Sequence, residues 1–197
     1  MKRLAWCALA VTIFAASALA PTTPAAAPAE PAAPAKPLVE VHGDWVTRCF
    51  PVKSDSPCDV LFATVRKGTQ QRVTEISIAY APVRNQYVMQ LMVPIGIDLT
   101  QGVVIDAEGY RSGSLFIRRC DRTGCFVEMA VSPQLITGLR NAPNPVGHLN
   151  VVADGGRPVT LNVSLNGFGD AHDAMVNLAR QKASGQPLPL RDQAPTP

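Results

Sequence analysis

Pro158–Asn166 reads PVTLNVSLN. In an extended chain Val159, Leu161, Val163 and Leu165 face one way, and Thr160, Asn162, Ser164 and Asn166 face the other. A period of two, apolar on one side and polar on the other, marks a strand whose sheet has one buried and one wet face. The alternation recurs outward along the chain. HLNVVAD carries it through Leu149 and Val151, CFVEMAV through Val127, Met129 and Val131 with Glu128 opposite, and RVTEISIAY through Ile76, Ile78 and Tyr80. Gln86–Pro94, QYVMQLMVP, is apolar on both sides, which predicts a central strand covered twice. Val103–Ile105 and Leu115–Ile117 are shorter apolar runs. Turn formers fall between the runs at Lys67-Gly68, Arg84-Asn85, Glu108-Gly109, Thr123-Gly124 and Asp154-Gly155-Gly156. Many short strands at this spacing predict an all-β-dominated fold, a compact β-sandwich or barrel-like domain.

Two stretches depart from period two. SPQLITGLR offers Ser132 as N-cap and Pro133 at the first helical position, with Gly138 limiting a short helix. GFGDAHDAMVNLARQKASG repeats Phe168, Ala171, Met175 and Leu178 at helical spacing, with Asp170 and Asp173 in the first turns and Gly185 past the end. It predicts a C-terminal amphipathic helix docked on the β core. The folded part, about Leu38 to Lys182, is long enough for one core and short for two.

The ends read differently. Lys2 and Arg3 precede an apolar run, Leu4–Phe14, and small residues at Ala16 and Ala18. This is the pattern of a secretory signal peptide over residues 1–18, cut after Ala18 or after a later alanine as far along as Ala29. Trp6 before Cys7 speaks against a lipid-modified cysteine. Residues 19–37 form an Ala/Pro-rich linker that cannot bury enough apolar surface to order itself. At about 3.1 Å per residue it reaches on the order of 50 Å. Residues 183–197 are again Pro-rich and expected to be disordered. After the signal no stretch is long and apolar enough to be a transmembrane segment. The formal net charge of +3 falls to near neutral once Lys2 and Arg3 are removed. With no basic run interleaved with aromatics, nucleic acid is not an expected partner.

Export bears on the cysteines. Cys49, Cys58, Cys120 and Cys125 remain after the signal, an even number in an oxidising compartment, and disulfides are expected. Four cysteines allow three connectivities. Local pairing, Cys49 with Cys58 and Cys120 with Cys125, is preferred. CDRTGC has four residues between its thiols and strand-like flanks, unlike the helix-opening redox pair with two. Neither cysteine spacing suits zinc. His42, His148 and His172 lack a paired nucleophile, and DAHD (Asp170–Asp173) reads as polar residues at a helix start, with His172 projecting away from the two aspartates. There is no GxSxG, HExxH or phosphate-binding glycine loop. No catalytic residue, no metal ligand and no cofactor is expected.

Five segments in order resemble one family: GDWVTRC (Gly43–Cys49), PCDV, VPIGIDLTQGVVIDAEG (Val93–Gly109), RRCDRTGC (Arg118–Cys125) and SLNGFGDA (Ser164–Ala171). Together they are similar to the invasion-associated locus B family of Gram-negative bacteria, over about Glu40 to Arg180. The resemblance implies an exported protein with a compact sandwich-like domain and two disulfides, in which Cys49, Cys58, Cys120 and Cys125 are the partners. Founding members are linked to bacterial entry into host cells, notably erythrocytes, while many others come from free-living bacteria. No catalytic residues are established for the family. The expectation is therefore a non-enzymatic envelope protein, periplasmic or outer-membrane-associated or extracellular, that binds a protein or surface component through an exposed patch on one sheet face. The competing readings are a periplasmic redox or hydrolytic factor, which needs a pocket at a histidine or a reactive Cys120/Cys125 pair, and a small-ligand or glycan binder, which needs aromatics such as Tyr87 and Tyr110 exposed together.

Overall fold

The computed structural model describes residues 36–188. The signal peptide, Cys7, most of the linker and the tail beyond residue 188 lie outside the described residues. Eleven strands and two helices follow in order: β1 (Leu38–His42), β2 (Trp45–Cys49), β3 (Cys58–Val65), β4 (Arg72–Ala81), β5 (Gln86–Val93), β6 (Val104–Ala107), β7 (Tyr110–Arg111), β8 (Arg119–Cys120), β9 (Cys125–Val131), α1 (Pro133–Asn141), β10 (Val146–Val152), β11 (Pro158–Ser164) and α2 (Phe168–Ala183). A seven-stranded antiparallel sheet has the order β1-β2-β3-β4-β5-β9-β8, and a four-stranded one the order β11-β10-β6-β7. The turn formers sit at hairpin bends: Asn85, Gly109, Gly155 and Gly156 take φ of 48°, 86°, 85° and 83°. Leu115–Ile117 is not a strand; Leu115 forms an isolated bridge with Val103, the residue before β6.

The two sheets pack face to face. Ile76 and Met89 of the large sheet, Ile105, Leu149 and Val163 of the small one and Leu139 of α1 are among the residues around one small void. The rest of the same large-sheet face is covered by α2, which lies across β1 to β4. Trp45 and Thr47 of β2 point into it, and the Thr47 hydroxyl donates to the Ala171 carbonyl at 2.9 Å. Only one face of the large sheet is therefore consumed. β5 is central, as its apolar run predicts, but most of its outer side is open: Met89, Leu91 and Val93 are buried on the core side, while on the other side Val88 and Gln90 are exposed and only Met92, beside Phe126, is buried. Gly138 does not limit α1, which continues to Asn141; it is where the Tyr110 ring crosses the helix, and a Cβ there would overlap that ring. Ser132 caps this helix through its side chain.

A clasp at the β1–β2 turn joins the layers. Asp44 N–H donates to the Asn166 carbonyl at 3.1 Å, Trp45 Nε1 donates to the Ser164 carbonyl at 2.8 Å, and Ser164 Oγ donates to Asp44 Oδ2 at 2.6 Å. Trp45 is fully buried, edge-on to Phe168 at 4.8 Å between ring centres and tilted against Phe62 at 5.4 Å. Gly167, at φ 83°, lies so close to the His42 carbonyl that a Cβ would overlap it. Gly167→Ala combines that overlap with a left-handed backbone, and we expect it to lower unfolding free energy by about 3 kcal/mol or more. Gly169→Ala, in the first turn of α2 with open space at the Cβ position, should instead raise stability by about 0.5–1 kcal/mol. Urea unfolding followed by circular dichroism reads both; similar midpoints for the two variants would refute the close-approach argument.

Candidate functional site

The outer face of the large sheet is built from the residues that alternate away from the core. Pairing register arranges them in rows across the strands: Val39, Arg48, Asp59, Ala79, Val88 and Ala130 form one, and Val41, Val46, Leu61, Ser77, Gln90 and Glu128 the next. Val41 is 72% exposed, Val39 50% and Val88 38%. In the middle sits a polar inlay. Arg48 makes a forked pair with Asp59, with Nε to Oδ1 at 2.9 Å, and Ser77 Oγ donates to Asp59 Oδ2 at 2.8 Å. Asp59 raises the Arg48 pKa, mainly through these hydrogen bonds and against the effect of burial. The inlay is a satisfied cross-strand network. Around it the face is largely aliphatic.

The third row, Glu75, Met92, Phe126 and Arg119, leads to a different end. Here a groove of about 340 Å3 runs between the β3–β4 and β8–β9 hairpins, lined by Arg72, Glu75, Met92, Arg122, Thr123 and Phe126 among others. The Arg119 guanidinium lies 3.9 Å from the centre of the Phe126 ring and pairs with Asp121 and Glu128 at 2.8 and 3.2 Å. Cys120 and Cys125, the cysteines of CDRTGC, are directly opposed and joined by a disulfide, and Asp121 Oδ1 accepts from Thr123 N at 2.7 Å and Thr123 Oγ1 at 2.5 Å. Those two donors hold the Asp121 carboxyl below its ordinary pKa. Cys49 and Cys58 are likewise opposed and bonded, at the other end of the sheet.

The histidines do not share a site. His172 is buried on α2, facing the core rather than water, because the sheet and α1 both bring partners to it. Arg140 at the end of α1 donates from Nη1 to His172 Nδ1 at 2.9 Å and pairs with Asp173, with Nη2 to Oδ2 at 2.9 Å. Since arginine only donates, Nδ1 accepts, and the proton sits on Nε2, which donates to the Tyr87 hydroxyl at 3.0 Å. Asp173 approaches the same Nδ1 at 3.1 Å, so both acceptors share the Arg140 proton. The reading of His172 as projecting away from the aspartates is thus overturned for Asp173. Both ring nitrogens are occupied, and His172 lines none of the four cavities described. Chemically this is a tie between α1, α2 and β5. His148 bonds Asn162 on the polar side of the small sheet, and His42 lies by Glu40 on β1. Tyr87 stacks with Tyr80 and His172, while Tyr110 covers α1 beside an open groove of about 600 Å3; the two tyrosines are not exposed together. Among the described residues no three of His, Cys, Asp and Glu converge.

Burial pushes the His172 pKa down from 6.5, more than the Asp173 contact pushes it up. The unfolded chain then binds a proton at a pH where the folded chain does not, so stability is full above about pH 6.5 and falls as pH drops below it. His172→Gln should flatten this limb of the thermal-midpoint profile between about pH 6.5 and 5; an unchanged slope would show that His172 is not its source. Access separates the disulfides. Cys120 is exposed, whereas Cys49 and Cys58 are 1% and 0% exposed. A mild thiol should open Cys120–Cys125 in the native protein and leave Cys49–Cys58 intact until denaturant is added, as read by alkylation and mass spectrometry. Equal reduction of both without denaturant would contradict the burial.

No curated protein matches the chain. A crystal structure of invasion associated protein b from Bartonella henselae matches it with a TM-score of 0.61 and 24% sequence identity, covering 73% of this chain and 99% of that one. Likeness at that identity shows the shared fold. Among the described residues no helix is long and apolar enough to cross a membrane. The family model for invasion associated locus B (IalB) protein, not a known enzyme family, matches residues 45–176, from the clasp tryptophan to the middle of α2. The chain belongs to the invasion associated locus B family.

Proposed function

We propose that the protein is an exported, non-enzymatic envelope component that holds a protein or surface component against the outer face of its large sheet. The contrast between the two outer faces carries this reading. The small sheet presents His148, Asn150, Thr160 and Asn162 to water, as an antiparallel sheet with one wet face should. The large sheet presents Val39, Val41, Val88 and Ala130 instead. Exposed apolar side chains on both sides of the Arg48–Asp59 pair support an interaction site on this face. Export is supported by the signal-like start and by two disulfides, which suit an oxidising compartment. The location is the periplasm or the outer side of the outer membrane, and a contribution to host-cell contact follows for the second.

A photo-crosslinking residue at Val88, with Thr160 on the small sheet as control, tests the face in living cells. An adduct of defined mass at Val88 and none at Thr160 is expected, with Val41→Asp abolishing it at an unchanged thermal midpoint. Equal labelling at both positions, or none, would refute the reading. Protease added to intact cells then places the partner: cleavage without lysis puts the domain outside, and protection until the outer membrane is opened puts it in the periplasm.

A further inference from the structure

We propose that the hairpin end of the large sheet docks on an anionic phospholipid surface. The inference rests on the reading of the protein as an envelope component and adds a second contact, away from the aliphatic rows. Register brings three things to one end of the sheet. The β3–β4 tip carries Arg66, Lys67 and Arg72, the β8–β9 tip carries Arg119 and Arg122, and β5 runs out between them toward Ile95, which is 61% exposed. At the two tips Glu75 pairs with Arg72, and Asp121 and Glu128 pair with Arg119, while Asp154, whose N–H bonds the Gly96 carbonyl, adds a carboxylate beside Ile95. Arg66, Lys67 and Arg122 are exposed and have no carboxylate partner among the described residues. The positive excess sits on the β3–β4 tip, where Arg66, Lys67 and Arg72 face only Glu75, while the two arginines of the β8–β9 tip face two carboxylates.

The shape suits a headgroup on a surface. The groove between the tips, about 340 Å3, has guanidinium groups on its rim and Met92 and Phe126 in its wall. A phosphate placed there meets Arg72 and Arg122, with the Glu75 carboxylate already paired to Arg72, and the exposed apolar contact comes from Ile95 and Val65, since Met92 and Phe126 are only 6% and 8% exposed. The strand order sets β5 between the two tips, so the exposed Ile95 follows a strand that ends between them. An acidic polypeptide would use the charges and leave Ile95 and the half-exposed Val65 unused. Because the Cys120–Cys125 bond and the Asp121–Thr123 contacts fix the second tip, Arg122 is carried on a turn whose backbone is already ordered.

The test uses the chain purified from the envelope fraction and vesicles of phosphatidylglycerol or of phosphatidylcholine, separated by sedimentation. Binding to the anionic vesicles alone, weakening as salt is raised, is expected. Each cation near such a surface contributes about fivefold, so Lys67→Ser with Arg122→Ser should weaken partitioning roughly thirtyfold. Lys53→Ser, which removes an exposed cation at the opposite end of the sheet, should leave it unchanged. Equal binding to both vesicle types, an equal loss with Lys53→Ser, or binding to polyglutamate with none to vesicles would each overturn the proposal. Failure here with the Val88 adduct intact would sink only the lipid contact, whereas loss of the adduct with vesicle binding intact would sink only the aliphatic-face reading.

Discussion

Gly167 and the His42 carbonyl occupy space that no side chain can share, and the arrangement of the layers depends on that approach. The β1–β2 turn must come down onto the end of β11 before α2 begins. Gly43 on the other side of the same contact is equally tight, with a Cβ there falling 2.8 Å from the Asn166 carbonyl oxygen. Once the turn is seated, Trp45 meets Ser164 and Phe168 together, so a single buried indole touches the large sheet, the small sheet's last strand and the first residue of the helix. Truncating such a group removes packing and leaves a buried carbonyl without its donor.

The clasp also decides which surface is left over. It directs α2 onto β1 to β4, on the same face that meets the small sheet beside it. That face is full, and the opposite one has nothing to cover it among the described residues. An uncovered sheet face would ordinarily be written in polar residues, as the small sheet's is. The large sheet instead keeps valines and alanines around a half-buried ion pair, Arg48 with Asp59, whose Oδ2 also accepts from Ser77. Such an inlay gives the face a fixed polar feature inside an apolar surround, which is how interfaces gain orientation as well as area.

The period-two runs and the turn residues made the strands legible because both are local. Ile76, Ile78 and Tyr80 face the core for the reason their spacing suggests, and Gly109 and Gly155 turn the chain where a positive φ is needed. The misreadings are all non-local. The apolar outer side of β5 looked like a second covered face; the sequence cannot separate a side chain awaiting a partner from one already buried. His172 was read from its own helix, where only Asp170 and Asp173 are neighbours, yet its environment is set by Tyr87, 85 residues away, and Arg140, 32 residues away. Position 138 of the helix is glycine because Tyr110 needs the room, a fact written three elements upstream.

CDRTGC shows how a cysteine pair can serve position rather than reaction. β8 contributes only two residues to the sheet, Arg119 and Cys120, and a ladder that short is marginal by itself. The disulfide supplies what the ladder lacks by restricting the open hairpin, a contribution of about 2 kcal/mol for so small a loop. What it secures is the edge of the open face. With β8 in place, the Arg119 guanidinium sits over Phe126 and is shared between Asp121 and Glu128, while Arg122 has no carboxylate partner among the described residues. Without the bond, Arg119 and its partners would separate together and the tip's balance of charge would no longer be fixed in space. The thiols therefore act on function through the geometry of arginines, and an oxidising compartment is the condition under which that geometry exists.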